Sequence, residues 1–240
     1  MHFVKKYSIN VSPEELAEPD LNAYRTFNEF FHRRLHPLAR SLAEPGNDAV
    51  ISSPADCRMV VYDNVDLARR LWIKGRHFTL KGLLIDSTRA EYFRGGSIVV
   101  ARLAPADYHR FHSPVDADLI GSVPVSGSLL TVNPVVVNNK QFDVFTSNKR
   151  VVTYLRATRT GEMVAFVQVG ALLVGSIEQT VQPGQPVHRG QELGYFAYGG
   201  STIVIVFRQG QVKFDQDLLC NSLESIETKI EVKDRIGSFL

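Results

Sequence analysis

A serine that follows two glycines and opens an apolar run can do chemistry on its own backbone. Tyr198-Gly199-Gly200-Ser201-Thr202 is such a place, and Ile203-Val204-Ile205-Val206-Phe207 follows at once. The Ser201 hydroxyl can attack the carbonyl before it, an N→O acyl shift that leads to cleavage between Gly200 and Ser201. A serine freed in this way can lose water and then ammonia. It would then be a pyruvoyl group, a carbonyl cofactor made from the chain itself. Alone, a Gly-Gly-Ser-Thr run is most often a turn, so this reading needs support from the rest of the chain.

Three further stretches carry residue types suited to chemistry. Ser53-Pro54-Ala55-Asp56-Cys57 sets an aspartate after a proline-led turn, which is ordinarily a turn former. Asp107-Tyr108-His109-Arg110-Phe111-His112-Ser113-Pro114 places His109 and His112 three apart. That spacing suits a metal, yet no third ligand stands nearby, and surface histidines are the plainer reading. Val169-Gly170-Ala171-Leu172-Leu173-Val174-Gly175-Ser176-Ile177 is apolar, with glycines that permit close backbone approach.

The elements that must hold these residues are mostly strands. Ser97–Leu103, Glu162–Val169 and Ser201–Phe207 read as buried strands, punctuated by Asn133-Pro134, Gln182-Pro183-Gly184-Gln185-Pro186 and Arg208-Gln209-Gly210-Gln211. Closely spaced strands predict an α+β chain with a mainly antiparallel sandwich or barrel core. Residues 1 to about 40 read as helical. Ser12-Pro13-Glu14-Glu15 and Thr26-Phe27-Asn28-Glu29 both look like helix starts. Tyr24, Phe27, Phe31, Leu35 and Leu38 recur at helical steps, with a predicted end before Pro37. One short helix is expected between Trp72 and Leu84.

Composition bounds the possibilities. The chain has 240 residues, 44% hydrophobic and 22% charged, and a net charge of +2. That balance is too mild to argue for nucleic acid, where a clustered basic footprint is expected. Cys57 and Cys220 can supply neither a disulfide framework nor a closed zinc site, and no metal is expected. No apolar run reaches the roughly 18 to 20 residues of a membrane span, and Met1-His2-Phe3-Val4-Lys5-Lys6 lacks the apolar stretch of a signal peptide. No linker is evident after residue 45. The expected organisation is one domain over 1–240, with a helical lead (1–45), a β core (46–200) and a short chain after cleavage (201–240).

In order along the chain, these stretches resemble the phosphatidylserine decarboxylase family. Tyr24 to Leu38 (YRTFNEFFHRRLHPL) is similar to its N-terminal helix signature, and Ser53 to Asp56 to its Ser-Pro-Ala-Asp turn. Asp107 to Pro114 is similar to its Asp-Tyr-His-Arg-x-His segment. Val169 to Glu178 (VGALLVGSIE) and Val187 to Phe207 (VHRGQELGYFAYGGSTIVIVF) are similar to its core strands and cleavage site. The Gly-Gly-Ser-Thr form, with Glu224-Ser225-Ile226-Glu227-Thr228, resembles the eukaryotic-type branch more than the bacterial Leu-Gly-Ser-Thr form.

The resemblance implies roles. Ser201 would be the self-cleavage nucleophile and the source of the pyruvoyl group, His112 its base, and Asp56 the carboxylate that orients His112. His109 would deliver a proton after the substrate's carboxylate leaves as carbon dioxide. The implied substrate is phosphatidylserine and the product phosphatidylethanolamine, made at a peripheral membrane surface inside the cell, with pairing into homodimers possible. Two membrane-binding segments are candidates: Tyr24–Leu38 with Arg33 and Arg34, and Trp72–Leu84 with Lys74, Arg76 and Lys81. Two positions depart from the family pattern, since Cys57 and Ala117 stand where glycine is usual. If either needs a positive φ, Asp56 would be misplaced and self-cleavage slowed.

Other readings stay open on sequence alone. Relatives of this family decarboxylate free aromatic amino acids, and a cleavage-dead paralogue would only bind lipid. Gln182 to Gly194 also resembles the paired turns of biotinyl and lipoyl carrier domains, but it has no lysine to modify.

Overall fold

Alternation of side chains along a strand means that a strand apolar at every position must be covered on both faces. Ser201–Phe207 is buried at all seven positions, and the architecture is built around it. The computed structural model describes residues 2–73, 78–137, 143–171, 176–197, 199 and 201–240.

The lead segment holds α1 (His2–Tyr7) and α2 (Phe27–Phe31), followed by β1 (Val50–Ser52) and β2 (Cys57–Tyr62). Next come α3 (Val65–Leu71), α4 (Leu80–Leu84), α5 (Ser87–Tyr92), β3 (Ile98–Leu103), β4 (Arg110–His112) and β5 (Ala117–Val125). The middle holds α6 (Pro134–Val137), α7 (Val144–Ser147), β6 (Arg150–Ala157), β7 (Met163–Gly170), β8 (Ile177–Gln179) and β9 (Pro186–Val187). The chain closes with β10 (Glu192–Phe196), β11 (Ser201–Phe207), β12 (Val212–Phe214), α8 (Gln216–Leu223), β13 (Thr228–Ile230) and β14 (Arg235–Phe239).

An eight-stranded sheet runs β13-β2-β3-β11-β7-β6-β5-β9, and two three-stranded sheets run β1-β14-β12 and β4-β10-β8. All pairings between these strands are antiparallel. The large sheet does not close on itself, so the α+β sandwich holds rather than the barrel. Along β11, Ile203, Ile205 and Phe207 enter one apolar cluster with Phe111, Leu193, Phe196, Phe214 and Ile236 of the two small sheets. Val204 and Val206 enter a second cluster with Val65, Leu83, Leu84, Val144 and Phe145 of the helices. The sheet is therefore sandwiched, with small sheets on one side and α3 to α7 on the other.

The lead segment departs from its predicted helices. Thr26 caps α2 as expected, its Oγ1 accepting from the Glu29 N–H at 3.1 Å, and Glu29 Oε2 accepts from the Arg25 N–H at 2.6 Å. The helix stops at Phe31 because Arg110 Nε binds the carbonyls of His32 (2.9 Å) and Arg33 (3.3 Å). Ser12 to Leu16 forms a single turn, and Leu16 then pairs with Leu35 and is buried. In both places tertiary partners outbid local propensity.

Cys57 and Ala117 each begin a strand, and neither has a positive φ. The concern that these positions require glycine is therefore removed. Cys57 is 2% exposed within the apolar cluster, and burial pushes its thiol pKa up, as for an inert packed cysteine. We expect Cys57→Gly to destabilise the chain by about 1–3 kcal/mol, from lost packing and added backbone freedom. Urea denaturation measures it, and an unchanged or raised stability would contradict the strand assignment of this residue.

Candidate active site

Ser201 opens β11, while His109 and His112 lie at β4 and Asp56 in the turn before β2. Ser201 lies opposite Leu103 of β3 and Gly170 of β7, so its backbone is held from both sides. Two segments then run away from that point and rejoin. From Leu103 the chain passes through the Ala104–Asp107 turn to His109. From Ser201 it runs back to Phe196, whose N–H donates to the His109 carbonyl at 2.9 Å. The segments that follow Leu103 and precede Ser201 are thus joined at Ser201–Leu103 and again at Phe196–His109. Tyr198 and Gly200 lie outside the described residues. Gly199 has φ +149, a conformation open in practice only to glycine.

Both histidines are enclosed. His109 is fully buried, with the Phe31 ring stacked on it at 3.8 Å between centroids. Its Nδ1 meets the Asp107 carbonyl at 2.8 Å. That carbonyl can only accept, so Nδ1 carries the proton and Nε2 presents a lone pair. His112 is 7% exposed, and its backbone N–H binds the Pro54 carbonyl at 2.8 Å. Burial lowers both imidazole pKa values to about 3, with Lys233 and Arg110 adding to the effect at His112. Ser201 Oγ, Thr202 Oγ1, His109 Nε2 and His112 Nδ1 are all buried without a hydrogen-bond partner. Such atoms are uncommon in native interiors and mark places where a ligand or reaction intervenes.

Asp56 is held differently from the sequence expectation. Ser53 Oγ donates to the Ala55 carbonyl at 2.8 Å and shapes the turn. The Val232 N–H donates to Asp56 Oδ1 at 2.8 Å. Arg40 binds the carboxylate with Nη2 at 2.9 Å, and also reaches Glu15 at 2.9 Å and Glu231 at 3.3 Å. Burial alone would lower the Arg40 pKa, but the hydrogen bonds and charges of Glu15 and Asp56 outweigh it and raise it. Among the described residues no hydrogen bond joins Asp56 to His112. They line neighbouring cavities, and Arg40 and Tyr108 line both.

Sequence reasoning missed Arg40, Phe31 and the Asp107 carbonyl as parts of this site. Arg40 is one of 27 basic residues and lies 16 positions from Asp56, so no spacing marks it. The one available signal was that a carboxylate in a packed turn needs a counter-charge. Arg33, read as lipid-facing, is 6% exposed, and its Nη2 donates to the Ala106 carbonyl at 3.1 Å. Trp72, Phe78, Leu83 and Leu84 are core residues and not a membrane surface, while Lys74 and Arg76 lie outside the described residues.

Two outcomes test this geometry. Removing Arg40 leaves three carboxylates uncompensated, so Arg40→Gln should cost about 2–4 kcal/mol in chemical denaturation. The histidines give a pH signature. Each is neutral in the fold down to about pH 3, whereas the unfolded chain protonates below about 6.5. The unfolded state therefore binds more protons between those values. Stability contributed by the neutral pair is present above about pH 6.5 and lost as pH falls toward 3. A His109→Asn/His112→Asn chain should lose less stability than its parent over that window, with both carrying Ser201→Ala to prevent cleavage.

The family model for phosphatidylserine decarboxylase matches residues 27–233. Phosphatidylserine decarboxylase proenzyme 2 of Oryza sativa subsp. japonica is 46% identical over 98% of this chain and 37% of its own length. Phosphatidylserine decarboxylase proenzyme 3 of Schizosaccharomyces pombe is 42% identical over 98% of this chain and 24% of its own. Phosphatidylserine decarboxylase proenzyme of Chlamydia trachomatis serovar L2 is 40% identical over 98% of this chain and 76% of its own. The chain thus spans well under half the length of the rice and fission yeast relatives. The match over residues 27–233 and the identity to these relatives establish that the chain belongs to the phosphatidylserine decarboxylase family.

Proposed function

We propose that this chain cleaves itself between Gly200 and Ser201 and then decarboxylates phosphatidylserine to phosphatidylethanolamine and carbon dioxide. The observation that carries this reading is the set of unpartnered, buried polar atoms on Ser201, His109 and His112. A buried, unpartnered hydroxyl has no water to compete with a base for its proton, and the buried histidines are neutral, the form of imidazole that accepts a proton.

Ser201 Oγ attacks the carbonyl of residue 200, and His112 takes the hydroxyl proton. The peptide becomes an ester, and elimination across Cα–Cβ of Ser201 releases the long chain. Ser201 Oγ leaves with the long chain as part of its new carboxylate, and the dehydroalanine left behind takes up water and loses ammonia, giving a pyruvoyl group at the start of the short chain; the buried, unpartnered Ser201 Oγ fits this origin. When present, that carbonyl supplies an electron sink for the bond to the carboxylate of an amine substrate. His109 holds and returns the proton. Its Nε2 lone pair is open, and an imidazolium in so apolar a place is a strong acid, suited to protonating carbon. Arg40 keeps the Asp56 turn in place, and Phe31 keeps water from His109.

No helix among the described residues is long and apolar enough to cross a membrane. We place peripheral contact with lipid at the lead segment. Tyr7, Phe27 and Leu38 are exposed there, and Phe3, Val4, Leu21, Tyr24 and Phe30 line an apolar hollow beside Arg25.

The decisive measurement is an intact mass under denaturing conditions. Two species are expected, split after Gly200, with the smaller lighter than a serine-started fragment by one ammonia. Ser201→Ala should give one full-length mass. The cleaved protein should release carbon dioxide from phosphatidylserine and not from tryptophan. A single full-length mass for the parent chain would instead support a cleavage-dead lipid binder. For the membrane surface, Lys5→Glu/Lys6→Glu/Arg25→Glu should reduce sedimentation with anionic vesicles, at about 1 kcal/mol per charge near the surface. Unchanged sedimentation would move the contact elsewhere.

A further inference from the structure

Beside the buried histidine of the Pro54-linked strand lies a cavity of about 360 Å³, lined by Arg34, Arg40, Tyr108, His112, Glu192 and Lys233 among others. Its charges do not cancel. Arg40 is answered by Glu15, Asp56 and Glu231, and Glu192 is answered by Arg110 at 2.9 Å. Among the described residues, Arg34 and Lys233 have no carboxylate partner. Two cations are therefore left over around one hollow. In its wall, His112 is more than nine-tenths buried, with Nδ1 lacking a hydrogen-bond partner.

Lys233 sits there at a conformational cost. Its φ is +74, in the left-handed region where a side chain with a Cβ is strained. Its backbone does what any residue could do in that turn: the N–H donates to the Ser53 carbonyl and the carbonyl accepts from the Ala43 N–H. Among the described residues its ammonium makes only a long contact to the Arg40 carbonyl, at 3.4 Å. Glycine would serve the backbone better, so the strain is explained by the side chain and by what that side chain could bind. Strained residues of this kind cluster at ligand clamps.

We propose that this cavity is an anion site for the phosphodiester of a phospholipid headgroup, with Lys233 and Arg34 as its cationic contacts and His112 in its wall. The identification of the anion rests on the function proposed above. A phosphoserine headgroup carries two anionic groups, and the carboxylate must leave without its charge. Cations holding that carboxylate would stabilise the state before reaction and oppose the chemistry. The phosphodiester keeps its charge throughout and is the group that fixed cations can hold without slowing the reaction. The same site would favour a phospholipid over a free amino acid, which has no phosphate.

The test reads binding and not turnover. The probe is soluble glycerophosphoserine, titrated calorimetrically into the full Ser201→Ala chain. Lys233→Gly should weaken binding about tenfold or more, as expected for loss of a charge-assisted contact, while raising the melting temperature by about 2 °C through relief of strain. Lys233→Asn, which tolerates the same φ without a charge, should weaken binding to the same degree and guards against an effect of the backbone freedom that glycine adds. Free serine should bind no differently to parent and variants. No glycerophosphoserine binding to the Ser201→Ala chain, or binding that survives Lys233→Gly and Lys233→Asn, overturns the site. Inorganic phosphate binding as tightly as glycerophosphoserine would mean a free-phosphate site and overturn the headgroup assignment. If the predicted binding holds but the cleaved parent chain releases no carbon dioxide from phosphatidylserine, the reaction fails and the anion site stands.

Discussion

The structure depends on the removal from water of one strand. Residues Ser201–Phe207 are buried at every position, and a strand in that state needs hydrogen-bonded neighbours on both edges and apolar cover on both faces. β3 and β7 supply the edges. The two small sheets and the helical layer supply the cover. The same desolvation reaches the first residue of the strand, so the Ser201 hydroxyl is dry as a consequence of how the core is built. A serine in a surface turn would exchange hydrogen bonds with water and have little reason to attack its own backbone.

Burial also sets the electrostatics of the two histidines. His109 and His112 are neutral because they are buried, with their pKa values near 3. The Asp107 carbonyl fixes which His109 nitrogen bears the proton. Asp56 faces the opposite demand: as an anion in a packed turn it needs a cation, which Arg40 supplies from the lead segment. Arg40 also gathers Glu15 and Glu231, so the lead segment is clamped onto the turn that carries Asp56. Arg110 strengthens the clamp by taking the carbonyls of His32 and Arg33, and Phe31 is thereby held over His109. The segment that the sequence offered as a candidate membrane helix is therefore, in its second half, packed over His109.

The parts of this protein legible in its sequence are those governed by local rules. Apolar runs of seven or eight residues mark strands buried on both faces, and β3, β7 and β11 lie where those runs lie. The Thr26 cap acts as its type and spacing imply. The Gly-Gly-Ser-Thr run, the histidine pair and the Asp56 turn were visible as unusual residue types against turn and strand backgrounds. Helix lengths in the lead were misread because Leu35, one of the apolar helical steps, forms a strand-like bridge with Leu16 instead. Only the partner across the fold selects between the helix and the bridge. Cys57 and Ala117 looked suspect on family pattern alone, whereas both begin strands that ask for no positive φ.

What the sequence by itself determined is the chemistry available: a serine after two glycines, two histidines three apart, an aspartate in a proline-led turn, and the strands that carry them. What only the tertiary structure decided is which charges meet. Arg40 reaches Asp56, Arg33 turns inward to Ala106, and Lys233 accepts a left-handed backbone beside the His112 cavity. These outcomes depend on distances between segments up to 193 residues apart in the chain. Coulombic and desolvation energies act through space, and spacing along a sequence does not encode them.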